Sequence, residues 1–238
     1  MRTLIYVPVI HTSADLGSMA KDVTKRAVAA LGEEIWIKHR NTVEGFWDAI
    51  SNYFDSIDVK DMKIYQDGMV ADGQIGKKIV EETSKAGSKN HQLLLKLLEK
   101  GAVLAKTEDL KIVTQEYNRL LAITQAKSIV QKIIALVKYR LTRKRLLKKR
   151  DFFVAERIDE SLGPKERGII FIGAFHKIKE KLPKNIHVTE LKDREKVEEY
   201  QRLLPFHNKH QRRFDELAEY LVSRLDTVSH VVPSVVEG

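Results

Sequence analysis

At 238 residues the chain is long enough to bury a sizeable core, and 43% hydrophobic with 32% charged side chains is ordinary for a globular protein. There is no cysteine, which excludes a disulfide framework, a thiolate metal site and a cysteine nucleophile. The formal net charge of +9 is local: residues 138–150 hold eight basic side chains and no acid, and the rest of the chain has 34 basic against 33 acidic residues.

The first element is the apolar run Leu4 to Ile10, closed by His11. A short run rich in Ile and Val that ends on a polar residue reads as a buried parallel strand. Thr12, Ser13 and Asp15 are candidate N-caps for a helix over Met19 to Leu31, and a second helix is expected over Val43 to Phe54. Lys63 to Gln66 reads as a short strand halted by Asp67-Gly68. A short helix around Ile75 to Ser84 and another over His91 to Lys100 precede a third strand, Ala102 to Ala105.

From Thr107 to Leu162 there is neither Gly nor Pro, and the composition favours one or two long helices, read as an arm or hairpin inserted between strands. Gly168 to Ala174 is a fourth strand, followed by Phe175 and His176, and Ile186 to Leu191 alternates as a fifth. Helices over Asp193 to Leu204 and Phe206 to Leu225 close the chain, with a loose tail at 226–238. Strands separated by helices predict one α/β domain over 1–238. Its mostly parallel sheet has about five strands in two halves, with 107–162 as a long helical insertion.

The first run is short, lacks a basic leader and turns polar at once, and no stretch reaches the roughly 20 apolar residues that span a bilayer. A cytoplasmic protein is the expectation. The motifs for a P-loop, a dinucleotide fold, a zincin and an α/β-hydrolase are all missing.

In open α/β sheets ligands sit beyond the carboxyl ends of the strands, so His11 and His176 are candidates to meet at one site. The bland alternative is that each caps its strand. Histidine binds metals and titrates near neutrality, and both properties suit hydrolysis. Arg150 occupies a slot on the apolar face defined by Leu146 and Val154, and so does Arg157 on the same stretch. A guanidinium in such a place pairs with a carboxylate, waits for an anion, or snorkels to water. Glu108, after the third strand, and Asp67, after the second, are either helix- and turn-forming acids or site residues.

These elements resemble, over residues 3 to 192, the TraB/GumN group of proteins, which is related to the Tiki proteases, ChaN and erythromycin esterases. Gly173-Ala174-Phe175-His176 is similar to the group's late GxxH motif, and Pro8-Val9-Ile10-His11 to its early one, with Pro8 in place of glycine. Ala105 to Asp109 looks like its glutamate element. Arg150-Asp151 stands for its Arg-Asn dipeptide, and the acid of its second strand falls on Asp67. The resemblance implies an α/β fold whose polar residues meet in one cleft, with hydrolytic chemistry in some members and metal-dependent proteolysis in the Tiki branch.

The expectation is therefore a hydrolase, a peptidase or esterase, acting on a peptide or small-molecule substrate. His11, Glu108, Arg150 and His176 would be catalytic. His11, Glu108 and His176 would be ligands to a divalent Mn, Co or Zn if a metal is used, and Arg150, Asp67 and Asp151 would contact substrate. One alternative is a non-catalytic peptide- or small-molecule-binding regulator of the same fold. Another is a nucleic-acid-associated protein using the basic stretch 138–150. The oligomeric state is left open, with a homodimer among the options.

Overall fold

The computed structural model describes residues 1–12, 14, 15 and 20–225. The cap candidate Ser13, the helix start at Met19 and the tail 226–238 lie outside the described residues.

Five strands, β1 (Arg2–Val9), β2 (Lys63–Gln66), β3 (Val103–Ala105), β4 (Arg167–Gly173) and β5 (Ile186–Glu190), form one sheet in the order β3-β2-β4-β1-β5. Every pairing is parallel. Helices α1 (Ala20–Leu31), α2 (Glu33–Asp55), α3 (Gly73–Lys85) and α4 (Lys89–Glu99) come from the first part of the chain, and α7 (Arg194–Leu203) and α8 (Gln211–Val222) from the last. The inserted segment forms two helices, α5 (Leu110–Thr124) and α6 (Ile129–Ser161). The fold is thus the expected α/β one, an all-parallel sheet with a long helical insertion.

Alternation along the strands builds two cores. Val7, Val9, Ile169 and Phe171 point to one face and pack with Phe46, Trp47 and Phe54 of α2, Leu94 and Leu97 of α4, and Phe214 and Leu221 of α8. Leu4, Tyr6, Ile170 and Ile172 point to the other and pack with Val154, Ala155 and Ile158 of α6. A parallel strand buried on both faces must be apolar at every position, which explains the unbroken runs in β1 and β4.

Proline sits in β1 without breaking it. Pro8 keeps register with Ile172 of β4. The Tyr6 carbonyl accepts from Leu191 N–H at 2.9 Å, and pairing with β5 ends at Tyr6–Glu190. The missing Pro8 N–H therefore faces the β5 side just past the ladder's end, where none is needed.

Two helix starts are corrected, and the long segment takes the two-helix form of the two expected. The second helix starts at Glu33, ten residues early, because Gly32 at φ +84° turns the chain directly out of α1. The long segment breaks at residues 125–128, where the Ser128 hydroxyl accepts from Gln131 N–H and caps α6. The closing helix begins at Gln211, because Pro205 starts a 3-10 turn, Leu204–Lys209.

Candidate active site

The two central strands β1 and β4 lie side by side and end at the same edge, which delivers His11 and His176 to one place. The chain turns tightly after Gly173, with His176 N–H donating to Gly173 C=O at 2.9 Å, and the imidazole folds back over the strand end. Asp67 follows β2 on the other side of β4, and its N–H donates to Phe171 C=O at 2.8 Å. Its Oδ2 accepts from Gly173 N–H at 3.0 Å. Nε2 of His11 lies 3.7 Å and Nε2 of His176 lies 3.8 Å from that same oxygen.

Gly173 makes this convergence possible. A Cβ there would stand 3.3 Å from Asp67 Oδ2, 3.6 Å from His176 Cδ2 and 3.7 Å from His11 Nε2. The glycine of the GxxH pattern is the floor on which the three side chains close.

The two histidines differ in their surroundings. His176 is buried, and its Nδ1 lies 2.6 Å from Asp151 Oδ1. The other Asp151 oxygen accepts from Lys177 N–H at 3.1 Å. A carboxylate can only accept, so Nδ1 donates to Asp151, and Nε2 is the ring atom left facing Asp67. His11 is 44% exposed at its side chain and touches Asp67 and Asp15 only at longer range. Burial pushes its pKa down, but the nearby carboxylates of Asp67 and Asp15 outweigh that, so it is raised. Burial would likewise raise Asp67, yet the Arg150 charge and both imidazoles hold it well below the usual carboxylate range.

Arg150 and Asp151 are adjacent on α6 and serve different partners. Arg150 Nε donates to Glu108 Oε2 at 2.7 Å and Nη1 to Glu116 Oε2 at 2.7 Å, while Nη2 donates to both Asp67 Oδ1 and Glu108 Oε1. Four of the five guanidinium N–H groups are thereby committed. Asp67 and Glu108 share one donor nitrogen, so their charges repel. Asp67 keeps its charge, whereas burial and the neighbouring Asp67 push Glu108 up against the pull of Arg150.

The structure therefore brings His11, His176, Asp67, Glu108, Arg150 and Asp151 into one network. The contacts that Glu108, Arg150 and Asp151 make differ from the ones their expected roles ask for. Glu108 turns its oxygens to Arg150 and to Gly68 N–H, the latter at 3.0 Å, rather than to the histidines. Among the described residues no group of three or more His, Asp and Glu side chains is poised to hold a metal ion. Arg150 is engaged by three carboxylates rather than held free for an anion, and Asp151 holds His176 rather than standing clear for substrate. Arg157 pairs with Glu160 at 2.9 Å, outside the network.

Glu116 was missed. It lies mid-helix on α5, and only the pairing of α5 with α6 brings it to Arg150. Asp15 was read only as a cap. It accepts from Thr12 N–H at 2.6 Å and from the Ser88 hydroxyl, and it tethers the chain after His11 to the start of α4. Beside His11 opens a pocket of about 150 Å³, lined by Trp36, His39, Arg40, Gly87 and Lys89 among others. Burial lowers the His39 pKa to about 4, so this ring enters the pocket wall neutral.

No family model, curated protein or solved structure matches this chain.

Proposed function

We propose that this protein is a hydrolase that cleaves an acyl bond of a peptide, ester or related small molecule by acid–base chemistry between two imidazoles. One observation carries the reading: Nε2 of His11 and Nε2 of His176 face a single oxygen of Asp67 across 3.7 and 3.8 Å. Those gaps are too long for direct hydrogen bonds, and a water or reacting group seated beside Asp67 could bridge to either ring.

In this reading His176 is the general base. Asp151 fixes its tautomer and stabilises the imidazolium formed when Nε2 takes a proton from the attacking water. His11, whose pKa is raised, supplies a proton to the leaving group. The substrate reaches His11 through the adjoining pocket, whose lining carries Arg40, Glu44 and Lys89. Arg150 and Glu108 are positioning residues that hold Asp67 in place. No step is routed through a metal. The resemblance to the TraB/GumN group, in which some members are hydrolytic, supports the same reaction class.

The test is hydrolysis of a panel of p-nitrophenyl esters and fluorogenic peptides by the full chain, with chelator and with added Mn²⁺, Co²⁺ or Zn²⁺. Turnover that survives chelator and is lost in both His176→Gln and Asp151→Asn, with each variant folded, supports the proposal. Turnover retained in either variant overturns it, as does binding of peptides without turnover, which returns the non-catalytic alternative. Turnover that depends on stoichiometric metal replaces the acid–base form with a metal-assisted one.

A further inference from the structure

The insertion hairpin carries a surface that the site does not use. Along the first turns of α6, Ile129, Val130, Ile133, Ile134, Val137 and Leu141 are all exposed, Ile129 at 79% and Leu141 at 76%. At 100° per residue they fall on one broad arc of the helix. The opposite side, with Ala135, Tyr139 and Thr142, is the less exposed one, and there Arg119 of α5 donates to the Thr142 hydroxyl. The apolar arc therefore faces away from α5, and no described part of the fold covers it. Uncovered apolar surface of this extent marks a partner.

Further along the helix the same arc changes character. Arg140, Lys144 and Lys148 continue the stripe that Ile129, Ile133 and Val137 begin. None of these three, nor Arg143, has a carboxylate within 4 Å among the described residues. Together with Phe175, Lys177, Lys181 and Arg202 they line a cleft of about 700 Å³. The three acids of that cleft are already engaged: Asp151 with His176, Glu180 with Lys177, and Glu198 with Arg194 and Arg202. The cleft is thus a sink for anions directly behind an apolar patch.

We propose that the hairpin docks on an anionic lipid membrane surface. The apolar arc of residues 129–141 enters the acyl-chain boundary, and Arg140, Arg143, Lys144 and Lys148 meet the headgroup phosphates. Two considerations select this occupant. The hairpin of a second copy offers the apolar arc but no counter-charge, since residues 110–150 contain twelve Lys and Arg against the single acid Glu116, which Arg150 holds. A nucleic acid offers phosphates but no apolar phase, and Tyr139 is the one aromatic side chain along α6 before Phe152 that could stack on a base. An anionic bilayer interface supplies both halves, in the order in which the helix presents them. No described helix is long and apolar enough to cross a membrane, so the contact is peripheral.

The experiment is co-sedimentation of the full chain with phosphatidylcholine vesicles, with and without about 30 mol% phosphatidylglycerol. We expect binding only to the anionic vesicles, weakened by salt. It should fall about tenfold or more in Ile133→Ser/Val137→Ser and again in Lys144→Glu/Lys148→Glu, with circular dichroism unchanged in both. All four positions are solvent-exposed, so both variants should fold. A tryptophan placed at Ile133 should shift to the blue on the anionic vesicles and be quenched by brominated acyl chains. No binding to anionic vesicles overturns the proposal, as does equal binding by both variants. Loss of a solution dimer in Ile133→Ser/Val137→Ser without vesicle binding, or capture of duplex RNA in preference to vesicles, assigns the surface to another partner and overturns it equally.

Discussion

His11 and His176 look alike in the sequence, each closing an apolar run, yet the fold treats them differently. His176 is buried and tied to Asp151 at 2.6 Å. His11 is half exposed, held by longer-range contacts, and opens onto a pocket. A histidine locked to one tautomer suits moving a proton at a fixed atom. One with a free edge and a raised pKa suits meeting a ligand. The difference comes from what the insertion brings: α6 lays Asp151 against one ring and gives nothing to the other.

The sharpest way to break this asymmetry is to remove its cause. Asp151→Asn keeps the shape, but an amide nitrogen cannot accept the Nδ1–H. The ring then turns over its tautomer, and Nε2 loses its lone pair. We expect kcat to drop roughly 10³–10⁴-fold, as when an orienting acid is neutralised in a hydrolytic triad. His11→Gln should cost only about 10–10²-fold. Equal losses in the two variants, read from kcat on the best substrate of the panel, would show that the imidazoles act as equivalents.

Arg150→Met tests the shared floor of both histidines. It leaves Asp67, Glu108 and Glu116 without their common cation, two of them deeply buried. The protein should lose about 3–5 kcal/mol of stability by urea unfolding. A loss below 1 kcal/mol would mean that these acids relax to water, and Arg150 would return to being an anion-binding residue.

The strand pattern was legible because apolar runs of this length have few alternatives, whereas the adjacency of β1 and β4 came only from the structure. That His11 and His176 meet was legible because both follow strands at the carboxyl edge, whereas Asp67 stood open between a turn and the site. The partners of Arg150 were only half legible. Its position on an apolar helix face left a carboxylate, an anion or water open as its partner, and sequence spacing does not say which strand end lies beneath a helix. Glu108 was close at hand in the pattern. Glu116 depended on the register of two long helices whose turn, at residues 125–128, contains neither Gly nor Pro. The role of Asp151 was hidden because neighbours on a helix point about 100° apart. The dipeptide looked like one feature and proved to be two.

Gly173→Ala would sharpen the picture at smaller cost. The new methyl meets the Asp67 oxygen at 3.3 Å, so the carboxylate must give way by a few tenths of an ångström. We expect about 1 kcal/mol of destabilisation. The loss of kcat should be larger than the stability change alone predicts, because both Nε2–Oδ2 distances open together. Unchanged kinetics in a folded Gly173→Ala protein would show that the spacing of the cluster is not what the chemistry uses.

The smallest effect lies in the pH dependence of stability, where the two histidines should separate again. The folded pKa of His11 is raised by Asp67 and Asp15 against the opposing charge of Arg150. A raised pKa means that the folded state binds the proton more tightly than the unfolded chain. The stabilisation is therefore fully present below the unfolded value, about 6.5, and is lost as pH rises through the folded one. Asp67, held low, acts in the other window: its contribution is present above about pH 4 and is lost as pH falls toward its folded value. Between these windows His11→Gln should melt about 1–3 °C below the parent chain at pH 5.5, and the gap should close by pH 9. His11 is 44% exposed, so added salt should narrow the gap at pH 5.5 as well. A gap that stays constant from pH 5.5 to pH 9 would show that His11 does not carry its proton into the folded state, and the proton donor of the proposed reaction would have to be sought elsewhere in the network.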